Sequence, residues 1–71
     1  MGSPTEVVFV VEEAPEGGFT AKAIGVSIVT EAEDLPALRQ SVRDAVRCHF
    51  GPADMPKFTR LHIVHDEIIA A

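Results

Sequence analysis

Five apolar residues in a row, Val7-Val8-Phe9-Val10-Val11, set the first readable pattern. They are β-branched or aromatic, which suits a pleated surface, and the run is bounded by acids. The pattern predicts a strand that is apolar on both faces, with Val7, Phe9 and Val11 on one and Val8 and Val10 on the other. Ala14-Pro15-Glu16-Gly17-Gly18 predicts a turn, because Pro fixes φ and Gly admits positive φ. Phe19 to Ile24 then reads as a second strand, Gly25 as a break, and Val26 to Glu31 as a third strand. Two hairpins in succession make an antiparallel meander.

The period then changes from two to helical. Asp34-Leu35-Pro36 predicts a helix start: the Asp34 carboxylate can accept from backbone N–H groups, and Pro36 lacks a donor that the first turn would leave unused. Leu35, Leu38, Val42, Ala45, Val46, His49 and Phe50 recur on one helical face. Gly51-Pro52 predicts the stop, with Gly51 in the left-handed position. A loop over 53–56 leads to a last strand, Phe58 to Ile69. In it Leu61 and Ile63 share one face, and Arg60, His62 and Val64 the other.

The expected fold is α+β, in the order β-β-β-α-β: a three-stranded meander, a last strand and one helix packed on one face. It is expected to form a single domain over 1–71, with 1–5 a flexible N-terminus. One helix covers one face of such a sheet, yet the first strand is apolar on both. A second copy of the chain is the simplest cover for the other face, so a homodimer is expected.

Composition narrows the function. A chain of 71 residues with 46% apolar content is a small globular domain that buries only about 60% of its unfolded surface. The single Cys48 makes no internal disulfide, and paired cysteines for a zinc ribbon are missing. No apolar run approaches a membrane span and no leader pattern is present, so a cytoplasmic protein is expected.

The net charge is −5 and unevenly spread. Glu6, Glu12, Glu13, Glu16, Glu31, Glu33 and Asp34 crowd the front half, with Lys22 as its single base. Such a surface repels nucleic acid and attracts a basic partner. Glu12, Glu13, Glu16, Glu31, Glu33 and Asp34 are therefore the candidate partner-binding residues.

Other residues offer candidate chemistry. Arg39, Arg43 and Arg47 recur every four residues and form a stripe beside the apolar helix face. They are the alternative, nucleic-acid-binding candidates, although their long stems also serve to shield a core edge. His49 reads as a last-turn helix residue and Cys48 as an unreactive thiol near a helix C-terminus. His62 and His65 point to opposite sides of a strand and cannot grip one metal ion together. No catalytic group, metal site or cofactor is expected.

The stretch Glu13-Ala14-Pro15-Glu16-Gly17-Gly18-Phe19-Thr20-Ala21 resembles the first hairpin of the HicB-like antitoxin family. The helix start Thr30-Glu31-Ala32-Glu33-Asp34-Leu35 and the helix Leu38-Arg39-Gln40-Ser41-Val42-Arg43-Asp44-Ala45-Val46 follow in the family's order, so the similarity spans about residues 6–50. The resemblance implies a degenerate ribonuclease H-like fold, with the last strand parallel to the first. It also implies a non-enzymatic antitoxin that neutralises a small basic, mRNA-cleaving HicA-like toxin. Family antitoxins often carry a C-terminal DNA-binding module. None is evident here, so direct DNA binding is not expected.

Overall fold

In the computed structural model, which describes residues 6–71, the apolar runs become a four-stranded sheet with one helix across it. The strands are β1 (Glu6–Glu13), β2 (Phe19–Ala23), β3 (Val29–Ala32) and β4 (Phe58–Val64), and the helix is α1 (Leu35–His49). Their order in the sheet is β3-β2-β1-β4. β1 pairs antiparallel with β2, and β2 with β3, which is the expected meander. β4 lies parallel to β1, in the place the family resemblance implies. The fold is thus α+β in the expected order. The expected flexible segment 1–5 lies outside the described residues.

Alternation along β1 decides which side meets the helix. Val7, Phe9 and Val11 are buried and pack with Ala21 and Ala23 of β2 and Leu38, Val42 and Val46 of α1. Phe9, Leu38 and Val11 are wholly shielded from solvent, and each such side chain contributes about 1.5–3 kcal/mol of burial free energy. The helix starts where the sequence says: Asp34 accepts from the Ala37 N–H at 2.8 Å, and Pro36 sits in the first turn. Its contacts go mainly to β3 and β2; in β4, Leu61 packs against the core while Ile63 stays half exposed at the margin of the helical roof.

Four local expectations are corrected. The second strand stops at Ala23, and the third begins at Val29, not Val26. The chain turns at Gly25 (φ +87°) and closes with the Ala23 N–H donating to the Ile28 carbonyl. Ile28, whose carbonyl accepts that bond, lies just before β3 with its side chain in the core. The helix ends through Phe50 in extended conformation, and Gly51 is not left-handed. Pro52 has no N–H to continue the ladder and its ring would meet the carbonyl four residues back, so the helix cannot run through it and stops without a left-handed glycine. His49 is exposed, its ring edge-on to Phe50 at 4.9 Å, and does not belong to the buried stripe. The last strand stops at Val64, not Ile69. β1 ends at Glu13 and turns away, so β4 runs out of strand to pair with.

Candidate functional site

The parallel placement of β4 gathers charge that is scattered in the sequence. The C-terminal ends of β1, β3 and β4, the β1–β2 turn and the start of α1 all meet at one end of the molecule. Of the 11 acids, all but Glu6, Asp44 and Asp54 lie there. The opposite end carries Arg47, Lys57 and Arg60.

Glu16, Glu31 and Glu33 line one open cleft of about 610 Å³, whose wall is the turn Gly17-Gly18-Phe19. The turn is closed by the Ala14 N–H donating to the Gly18 carbonyl at 2.9 Å. Gly18 has φ +84°, and a Cβ on it would stand 2.8 Å from the Ala32 carbonyl oxygen. The glycine therefore lets the turn lie against the end of β3, which brings Glu16 to the side of Glu31 and Glu33.

The six candidate acids divide by task. Among the described residues, Glu12, Glu16, Glu31 and Glu33 have no ion-pair partner. Glu12 stands in β1 beside Val64 of β4 and Thr20 of β2. Asp34 is engaged as the helix cap. Glu13 accepts from His65 Nδ1 at 2.7 Å, and the other ring nitrogen of His65 lies 3.5 Å from Glu67. The Glu13 hydrogen bond, then the Glu13 charge, then a hydrogen bond to Glu67, hold the His65 pKa above its ordinary value of 6.5. At the other end of the β1–β4 pair, Arg60 donates through Nε and Nη2 to both oxygens of Glu6, at 3.1 and 3.0 Å. That bidentate contact lowers the Glu6 pKa.

Sequence reasoning missed His65, Asp66 and Glu67 as parts of this end. They lie in the near-neutral rear half, and only the parallel register of β4 carries them to the front-half acids. The signal available was the family resemblance, which implies that register.

The arginine stripe is exposed along α1. Arg39 and Arg43 flank a shallow groove with Val42, Thr59 and Leu61 between α1 and β4, while Arg47 stands apart from it. Among the described residues, none of the three has an ion-pair partner. Cys48 is exposed and free. Among the described residues no group of three His, Cys, Asp or Glu side chains is arranged to hold a metal ion. No helix among them is long and apolar enough to cross a membrane.

Fold and site together define a class: a small α+β domain with one roofed sheet face and an exposed, carboxylate-rich end suited to meeting cations. Similar proteins give that class a family. A protein named UPF0150 protein from Archaeoglobus fulgidus is 47% identical over 53 residues, covering 75% of this chain and 79% of its own. A second UPF0150 protein, from Thermotoga maritima, is 34% identical over 70 residues, covering 99% of both chains. The chain belongs to the UPF0150 family. No family profile and no solved structure matches it.

Proposed function

We propose that this chain is a non-catalytic, HicB-like antitoxin module that acts as a homodimer in the cytoplasm and neutralises a small basic, mRNA-cleaving toxin. The observation that carries the reading is the acidic end, where Glu12, Glu16, Glu31 and Glu33 stand exposed without ion-pair partners among the described residues. Carboxylates grouped on a rigid strand end speed association with a cationic partner and compete for the Lys and Arg that such a partner uses on RNA. Gly18 supports the reading, since it lets the turn that carries Glu16 lie against the end of β3, in the cleft shared with Glu31 and Glu33.

The test is capture of small basic proteins from the native host, followed by an mRNA-cleavage assay of the captured protein with and without this chain. The expected result is cleavage that this chain stops. A triple variant Glu16→Lys, Glu31→Lys, Glu33→Lys should lose that protection. Reversal of Glu12, Glu13 and Glu16 should slow association and remove its salt sensitivity. Protection that survives both reversals would remove the acidic end from the mechanism.

A second reading has its own observation. Arg39 and Arg43 stand on one rim of the α1–β4 groove without ion-pair partners among the described residues, and could meet the phosphates of RNA or a nucleotide. It predicts RNA affinity that falls steeply with salt and is lost in the Arg39→Ala, Arg43→Ala variant. RNA binding that is absent at low salt dismisses it.

A further inference from the structure

We propose that two copies of this chain pair along the outer edge of β4, antiparallel and with Ile63 opposite Ile63, to make one continuous eight-stranded sheet. The inference rests on the homodimer part of the proposed function and is independent of the toxin.

β4 is an edge strand seven residues long, with no proline and no bulge across its register with β1. A row of backbone donors and acceptors on such an edge is a template for another strand. Its side chains add to the case. Phe58 is 66% exposed and Ile63 49%, and beyond the strand Ile68 is 99% exposed. α1 shields none of the three, because its contacts go mainly to β3 and β2.

The choice of a second copy follows from the charges. In a two-fold antiparallel pair, residues directly opposite each other share a face, so the axis passes a single residue. Centred on Arg60, the register sets two guanidinium groups against each other, which is destabilising. Centred on His62, it sets Phe58 against Asp66. Centred on Leu61, it sets Asp66 against Pro56, which lacks a donor, and leaves Ile68 beyond the pairing. Centred on Ile63, it sets Phe58 against Ile68, Arg60 against Asp66 and His62 against Val64. That register alone gives Phe58, Ile63 and Ile68 an apolar partner and makes an opposite-charge pair twice over, while Ile69, also exposed, falls opposite Lys57.

The same register explains what the tail is for. β4 stops at Val64 because β1 turns away after Glu13. Residues 65–68 continue past it, and in the pair they meet Leu61 to Phe58 of the second copy. Arg60 bonds Glu6 through Nε and Nη2, which leaves Nη1 for the opposing Asp66.

The experiment is sedimentation across a concentration series, combined with cysteine cross-linking in a Cys48→Ser background. A reversible dimer is expected. Ile63→Cys should give a symmetric disulfide with a mild oxidant, whereas Leu61→Cys, which faces His65, should not. Asp66→Arg should raise the dimer Kd about tenfold, since two charge pairs are lost. Ile68→Glu should do likewise, with an unchanged circular dichroism spectrum. Both changes lie in the exposed tail and spare the core. A monomer at millimolar concentration overturns this inference and the homodimer together. A dimer that cross-links through Val29→Cys or Ile24→Cys on the open sheet face, and not through Ile63→Cys, overturns the edge pairing and keeps the homodimer.

Discussion

The two edges of the sheet show two ways of finishing the same structure. β3 is four residues long and lies under α1, which closes the core on that side with Leu38, Val42 and Val46. β4 is seven residues long, lies at the margin of the roof and leaves Ile63 half exposed on the very face that carries Phe9 and Val11 in β1. A short edge offers little to another strand, while a long one offers a great deal. The roofed half therefore holds the fold, and the open half is free to carry contacts with other molecules. Substitutions in the two halves should fail in different ways.

Matched truncations give the largest contrast. Leu38→Ala removes a fully buried side chain over β2 and β3 and should cost about 2–5 kcal/mol. A 71-residue domain stands near the low end of the roughly 5–15 kcal/mol range of native stabilities, so most of its stability goes. Ile63→Ala should cost the monomer less than about 1 kcal/mol, because half of that side chain is already in water. Urea denaturation of both variants at low concentration checks the pair. Equal losses would mean that β4 belongs to the roofed core after all.

Adjacent glycines sharpen the picture at the acidic end. Both have positive φ, and a non-glycine residue in that region costs roughly 1–2 kcal/mol. At Gly17 the space for a Cβ is open, so Gly17→Ala should lose only that amount. At Gly18 the Cβ would also press on the backbone of Ala32, so Gly18→Ala should lose about 1 kcal/mol more and push Glu16 away from Glu31. Thermal melts give the first difference, and partner association rates give the second. A Gly18→Ala protein as stable as Gly17→Ala would show that the turn does not press on β3.

Neighbouring acids divide stability from binding in the same manner. Asp34→Ala removes the helix cap and should cost about 1 kcal/mol, whereas Glu33→Ala should change stability by less than about 0.5 kcal/mol and alter partner binding instead. If the two variants melt together, the cap is not holding the helix start.

Much of this was legible in the chain itself. The β1 run, the turn at Gly17-Gly18, the Asp34 cap and the helix face of Leu38, Val42 and Val46 follow from local rules that no distant contact overrides. What was not legible depends on neighbours. Ile28 reads as a strand residue because it is β-branched, but its place in the core depends on lying opposite Ala23, a register that periodicity does not state. Ile68 and Ile69 looked like strand because they are apolar, yet β1 has already turned away where they would pair. Within the candidate site, Glu16, Glu31 and Glu33 were readable as acids but not as one cleft, since their meeting depends on Gly18 lying against Ala32. His65 and Glu67 were not readable as members from periodicity, which does not state which strand lies beside which; only the family resemblance implied that register.

The smallest effect concerns how β4 is held to β1. Glu6–Arg60 clamps one end of the pair and Glu13–His65 the other, both on the surface. The Glu6 pKa is lowered by its hydrogen bonds from Arg60, so that clamp is fully present above the ordinary value of 4.5 and is lost as pH falls through the lowered one. The His65 pKa is raised by its bond to Glu13, so that clamp is fully present below 6.5 and is lost as pH rises through the raised value. Both clamps are therefore complete between 4.5 and 6.5, and the β4 edge should be held most firmly there. Hydrogen exchange of β4 amides, corrected for intrinsic rates, should show greatest protection in that window, while the roofed β2 amides change less. Glu13→Gln should abolish the loss on the alkaline side alone, and Arg60→Ala the loss on the acidic side alone. Protection of β4 that stays level from pH 6 to 8 in the unaltered protein would mean that His65 does not hold the strand, leaving the edge joined at its Arg60 end only.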